Sequence, residues 1–311
     1  MKGKVVYVVG ELNPDIIMTG KDLVPEFNRE KLLDSFQMVL GSSSAITASN
    51  LAGLGGDVRF VSVIGDDSLG RFCLDELNKA GIGTQHVRVD PRWSTGVTLS
   101  FSTASDRALM THLGAISRLR PEFLPEEMYE EASHIHFGSY FLLDDMRPHW
   151  NSVFERAAGS GITTSFDAGW DINGNWNRDA ITELLKVTDW FIPNEEELLQ
   201  IFDAETIGEA IRKLPNERGG VVVKRGSKGA LCIDRDGKTI EAKPFPVVPV
   251  DTTGAGDSFN AGMIYEWVSG QGITEALRVG CACGALATLR IGGAGNVPSR
   301  EEVGQFISGF N

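Results

Sequence analysis

Short apolar runs, each closed by a glycine, an acid or an amide, restrict this chain to one class of fold. Val5-Val-Tyr-Val-Val9 ends at Gly10, His134-Ile-His-Phe137 at Gly138 and Ile162-Thr-Thr-Ser-Phe166 at Asp167. Trp190-Phe-Ile192 ends at Pro193-Asn194, and Val221-Val-Val-Lys224 at Gly226. Runs of this length read as strands buried on both faces. Helical patterns between them imply right-handed crossovers and a mainly parallel sheet. Val58–Ile64 is a further strand, and Asp67 or Ser68 caps a helix from Leu69 to Ala80. A chain of 311 residues, 42% apolar and 23% charged, fits one large α/β domain or one domain with a small appendage.

Two stretches break the alternation. Residues 16–40 alternate poorly and contain Pro25, and they read as an excursion from the sheet. Gly96–Ser102 alternates clearly, turns at Ser105-Asp106-Arg107 and returns through Ala108–Thr111, so it reads as a hairpin. Arg107 and His112 fit a solvated hairpin better than a substrate contact.

Open sheets of this class bind ligands outside the carboxyl ends of their strands. The most informative such turn is Asp251-Thr-Thr-Gly-Ala-Gly-Asp-Ser-Phe-Asn-Ala-Gly262. It follows Pro249-Val250 and runs into a helix marked by Phe259, Met263, Ile264 and Trp267. Gly254, Ala255 and Gly256 expose backbone N–H groups at a helix N-terminus, which is a site for an anion. Asp257 sits at its mouth. A carboxylate there repels an anion unless it has another task, such as taking the proton of a hydroxyl that attacks a phosphoryl group. The competing reading is an ordinary capped helix. No G-x-x-x-x-G-K-[S/T] loop occurs, and Gly20-Lys21 lacks the upstream glycine.

Net charge of −13 argues against nucleic acid and anionic membranes as partners. Cys73, Cys232, Cys281 and Cys283 form no C-x-x-C pair and read as buried, reduced thiols of a cytoplasmic protein. Met1-Lys-Gly-Lys leads into about six apolar residues, a strand rather than a signal peptide or span. His134 and His136 share a strand face without a third metal ligand in sight.

The pattern D-T-x-G-A-G-D-x-F resembles the C-terminal signature of the ribokinase-like (PfkB) carbohydrate kinases, where it is anion hole plus catalytic base. The resemblance spans Asn13 to about Asn296. Asn13-x-Asp15 matches the family's sugar-holding pair, which on its own reads as an Asx turn around Pro14. At G-G-x-x-x-N this chain has Gly41 but Ser42 for the second glycine and Ile46 for the Asn. The departure puts the identity of the sugar in doubt, and Ser43 or Ser44 can supply the missing hydrogen bond.

The resemblance also implies the cofactors. Asn194 and Glu197 match N-x-x-E, which orients waters around Mg²⁺ on a triphosphate, whereas Glu195 and Glu196 suit the helix dipole. Lys224, Gly226, Ser227 and Gly229 match a K/T-x-G-x-x-G turn that carries ATP; a plain hairpin stays open there. Lys224 or Lys228 can neutralise phosphate, and Gly256 and Cys281 complete the implied ATP set. Asp251, Thr253, Ala287, Arg290, Gly292 and Asn296 fall on a monovalent-cation loop. Asn296 stands where Ser is usual, so K⁺ is an open expectation.

The implied fold is a three-layer α/β/α sandwich with a mainly parallel sheet. Its core is 1–15, 41–91 and 112–311, and its β lid 16–40 and 92–111. The implied activity is ATP-dependent phosphorylation of a hydroxymethyl group on a sugar, with Asp257 as base. A nucleoside kinase and a non-catalytic ligand-binding regulator are the alternatives. The absence of a basic cluster near the substrate turn weighs against a phosphosugar. An exposed lid edge admits a homodimer.

Overall fold

The computed structural model describes residues 4–103, 107–290, 293 and 297–310. Its strands are β1 (Val5–Val9), β2 (Pro14–Thr19), β3 (Ser35–Leu40), β4 (Asp57–Ile64), β5 (Gly83–Val89), β6 (Val97–Ser102) and β7 (Arg107–His112). They continue with β8 (Ala132–Phe137), β9 (Thr163–Phe166), β10 (Trp190–Phe191), β11 (Gly220–Lys224), β12 (Ala230–Ile233) and β13 (Thr239–Ala242). The helices are α1 (Ser43–Gly53), α2 (Ser68–Lys79), α3 (Glu126–Glu131), α4 (Trp150–Gly159) and α5 (Arg178–Leu185). After them come α6 (Glu195–Phe202), α7 (Ile207–Lys213), α8 (Ala255–Val268), α9 (Ile273–Ala287) and α10 (Arg300–Ser308).

Nine strands form one sheet in the order β13-β12-β11-β10-β9-β8-β1-β4-β5. From β11 to β5 all pairings are parallel, and β12 and β13 add an antiparallel edge. Strand periodicity sorts β1 between the faces. Val5, Tyr7 and Val9 pack with Met128 of α3, Phe154 of α4 and Leu198 of α6. Val6 and Val8 pack with Leu51 of α1, Leu77 of α2 and Ile264 of α8. The result is three layers, as the resemblance implied. Stacked rings of Phe137 and Trp150, 3.7 Å between centroids, join strand to helix on the first face.

A second sheet, β3-β2-β6-β7, stands apart. The poorly alternating stretch resolves into β2 and β3, which pair antiparallel, and β2 runs parallel to β6. β6 and β7 form the expected hairpin. The helix after β4 starts at Ser68, one residue earlier than its pattern suggests, because Asp67 caps it by accepting the Gly70 N–H at 2.8 Å. The other oxygen of Asp67 accepts the Thr95 N–H at 2.7 Å, so this acid ties the start of α2 to the segment leading into β6.

Candidate active site

A cleft of about 1550 Å³ lies between the carboxyl end of β1, the small sheet and the start of α8. Asn13, Asp15, Ser42, Ser43, Gly254 and Asp257 all line it, although the sequence separates them widely. Asn13 Nδ2 donates to Asp15 Oδ1 and to Thr98 Oγ1, each at 3.3 Å, which fastens the turn to β6. Gly41 makes room for this pair. A Cβ there would stand 2.0 Å from Asp15 Oδ1.

Ser42 caps α1 at φ +69°, a conformation that suits the glycine it replaces. Its hydroxyl is committed to the backbone: it donates to the Glu11 carbonyl at 2.5 Å and accepts the Ala45 N–H at 3.0 Å. Ser44 is committed too, donating from Oγ to Glu11 Oε2 at 2.7 Å. Of the serines expected to stand in for the missing Asn, Ser43 alone turns to Asp257. It donates to Asp257 Oδ1 at 2.5 Å. Ile46 is buried, lines the cleft and packs against Gly254 and Gly293. The wall is apolar where the family's amide falls.

The helix α8 starts at Ala255, after Gly254 at φ +73°. A Cβ on Gly254 would sit 2.6 Å from Gly293 Cα, so only glycine fits. The Gly254 and Gly256 N–H groups have no hydrogen-bond partner among the described residues. The Ala255 N–H makes a long bond, 3.3 Å, to the Thr252 carbonyl. Asp257 follows in the same first turn and faces the cleft. Desolvation pushes its carboxyl up to about 7, with the Asp167 and Glu11 charges adding and Ser43 and Lys224 opposing.

Glu11 carries no signal in the sequence reading yet is central. It is buried and accepts the Ser44 N–H at 3.1 Å, the Ser44 hydroxyl and the Ser139 hydroxyl at 2.8 Å. It therefore joins the β1 turn, the start of α1 and the turn after β8. Its position in the polar turn after a buried strand was the available hint.

Beside Asp257 lies a second buried cluster. Lys224 Nζ pairs with Asp167 and donates to Asn260 Oδ1 at 3.3 Å, and Asn260 Nδ2 donates to Asp167 Oδ2 at 2.8 Å. Burial works against both charges, yet the ammonium holds the Asp167 carboxyl below its ordinary value, and Asp167 holds Lys224 above its own. Lys224 thus comes to the site already neutralised. Asn260, one turn after Asp257 on α8, was detectable from its spacing.

Asn194 and Glu197 form a capping box at the start of α6: Asn194 Oδ1 accepts the Glu197 N–H at 2.8 Å, and Glu197 Oε2 the Asn194 N–H at 2.9 Å. Burial raises the Glu197 carboxyl to about 7, with Asp167 adding and Lys224 opposing. A parallel bridge sets Asn194 beside Lys224. Gly226 and Ser227 open the turn between the antiparallel strands β11 and β12, and Gly229 closes it. The hairpin reading of this turn is therefore correct in itself. Lys228 is exposed and lies 3.4 Å from Glu195. None of these residues lines the cleft that holds Asn13 and Asp257. Cys281 is buried on α9 among Phe259, Met263 and Ile192, and burial pushes its thiol up to about 12.

Of the cation set, Asp251 Oδ1 accepts the Thr253 N–H at 2.9 Å and its hydroxyl at 2.7 Å. The Asp251 and Val250 N–H groups reach the Thr288 carbonyl, next to Ala287 at the end of α9. Arg290 lies 3.6 Å from Glu302. Gly292 and Asn296 lie outside the described residues, and so does the side chain of Arg107. His134 bonds to Thr163 and Ser165, and His136 to Ser165. Among the described residues no group of three or more His, Cys, Asp or Glu could hold a metal ion, and no helix is long and apolar enough to cross a membrane.

The family profile described as "pfkB family carbohydrate kinase" matches residues 4–300. The ATP-dependent ribose-1-phosphate kinase of Halopiger xanaduensis is 32% identical, over 97% of this chain and 98% of its own. The ribokinase of Bacillus subtilis is 27% identical, over 97% of this chain and 99% of its own. A crystal structure of a putative ribokinase II from E. coli in complex with ATP and Mg²⁺ superposes with a TM-score of 0.83 at 26% identity, covering 98% of this chain and 99% of that one.

Proposed function

The chain belongs to the pfkB family of carbohydrate kinases, and on that premise we propose that it moves the γ-phosphoryl group of ATP to a hydroxyl of a sugar or nucleoside with Asp257 as the base. One observation carries this reading. Asp257 stands in the cleft in the same first turn of α8 as N–H groups that have no partner among the described residues.

Asn13 and Asp15 hold hydroxyls of the acceptor. Asp257 takes the proton of the reacting hydroxyl, whose oxygen attacks Pγ as the bond to the ADP oxygen breaks. The N–H groups of Gly254 and Gly256 face the charge that builds up on the transferring group, and the Ala255 N–H joins them on leaving the Thr252 carbonyl. Preorganised donors of this kind often accelerate a reaction more than any other single effect. The sheet β3-β2-β6-β7 is the lid that keeps water from the phosphoryl group.

A bound Mg²⁺ would supply neutralisation of the triphosphate's charge, and Asn194 and Glu197 would hold it. The residues fit such a role through water. The capping box occupies Asn194 Oδ1 and Glu197 Oε2, and leaves Glu197 Oε1 and the second lone pair of Asn194 Oδ1 to accept from the ion's hydration shell. Gly226, Ser227 and Gly229 form the nucleotide turn. Asp251, Thr253 and Ala287 gather around one loop end and suit a K⁺ ion. The exposed Phe36 and Met38 on the edge strand β3 suit a lid-to-lid dimer, which sedimentation at two protein concentrations tests.

The described lining of the cleft favours an uncharged acceptor. Glu11, Asp15, Asp34, Asp251 and Asp257 face a single cation, Lys21. Like charges in one site are costly. ADP release with D-ribose, D-fructose, adenosine and ribose 1-phosphate tests this directly. Preference for ribose 1-phosphate would overturn the uncharged-acceptor reading, and no turnover with any sugar or nucleoside would overturn the whole.

A further inference from the structure

We propose that Ser43 is the positioning residue of the base: its hydroxyl holds Oδ1 of Asp257 and so turns Oδ2 toward the acceptor. The inference rests on Asp257 being the base. Three observations support it. The Ser43 hydroxyl and Asp257 Oδ1 lie 2.5 Å apart, a length typical of a charge-assisted bond. Among the described residues no other group hydrogen-bonds the Asp257 carboxyl. Ser43 is itself held in place, because Glu11 anchors the next residue, Ser44, through both its N–H and its hydroxyl.

The neighbourhood shows what this bond does. The charged groups around Asp257 are Glu11 on the turn after β1, Asp167 after β9, Glu197 on α6 and Lys224 on β11. Asp15 and Asp251 line the same cleft. Most of these are acids, and together with desolvation they favour the protonated carboxyl, which cannot accept a proton. Lys224 is shared with Asp167. Ser43 is the neutral donor that stabilises the ionised form without putting a second cation in the cleft. It stands in the first turn of α1 and fixes one oxygen while the other works.

Ser43→Ala and Ser43→Cys remove or weaken the donor, and Ser43→Thr keeps it. Two readouts decide. One is the titration of the Asp257 carboxyl followed by ¹³C NMR, with Asp257→Asn identifying its resonance. The other is the pH dependence of kcat/KM with MgATP and D-ribose as the probe acceptor. We expect Ser43→Ala to move both midpoints up by about one pH unit, Ser43→Cys to move them the same way by less, and Ser43→Thr to restore the wild-type curve. KM for MgATP stays unchanged. Unmoved midpoints in Ser43→Ala and Ser43→Cys, with Asp257→Asn inactive, would overturn the role of Ser43 alone. An active Asp257→Asn would remove the reading beneath it. The NMR titration needs no acceptor, so it decides even if D-ribose is not turned over.

Discussion

Lys224 and Asp167, 57 residues apart in the chain, form a buried ion pair that Asn260 closes from α8. Breaking such a pair leaves one charge without a partner. Lys224→Met is expected to cost about 3–5 kcal/mol in urea unfolding. Combining it with Asp167→Asn is expected to recover much of that loss. A single variant within about 1 kcal/mol of wild type would show that the pair adds little to stability.

Much of this arrangement was legible in the sequence. Buried strands ending in polar residues specified the parallel sheet, and the glycines before Asp257 specified the helix start that presents it. Asn13 and Asp15 were legible because they lie two residues apart, on either side of Pro14, although Asp15 belongs to β2 and not to a turn. What escaped detection depends on contacts between distant segments. Glu11 looks like any turn acid until Ser44 and Ser139 fold against it. Lys224 reads as a free cation in a nucleotide turn, because nothing in its neighbourhood announces Asp167. The capping box of Asn194 and Glu197 was legible as a helix start, and the sequence could not show how deeply Glu197 is buried.

Ser42 sits at φ +69° where a glycine would be at ease. Ser42→Gly removes the strain, and as a cap glycine costs only a few tenths of a kcal/mol relative to serine. Its stability should therefore stay within about 1 kcal/mol of wild type. Ser42→Ala keeps the strain and loses both hydrogen bonds, and should cost about 1–2 kcal/mol. Equal effects of the two changes would contradict this account.

Asp257 and Glu197 both have carboxyls raised to about 7 by burial. A raised carboxyl binds its proton more tightly in the folded state, so its contribution falls as pH rises from the unfolded value to about 7 and is lost above that. His134 and His136 act in the opposite sense. Burial lowers them to about 3 and about 4, so their contribution is lost as pH falls from the ordinary histidine value. Asp257→Asn should therefore unfold at a higher temperature than wild type at pH 8 and at about the same temperature at pH 4. A destabilised variant at pH 8 would contradict the assignment of burial as the cause.

Ile46 places an apolar side chain against Gly254 in the wall of the cleft. Ile46→Asn restores the amide of the family pattern. It is expected to change the ratio of kcat/KM between D-ribose and adenosine by about tenfold, the value of one added hydrogen bond to a substrate hydroxyl. An unchanged ratio would remove Ile46 from the determinants of the acceptor.

The most direct test is the turnover of Asp257→Asn with MgATP and the best acceptor of the panel, measured at pH 8 where the wild-type carboxyl is ionised. Asparagine keeps the size of the side chain and can still accept from Ser43, but it cannot take a proton. The account predicts a fall in kcat of about 10² or more, with KM for ATP little changed. Turnover within a few-fold of wild type would contradict it.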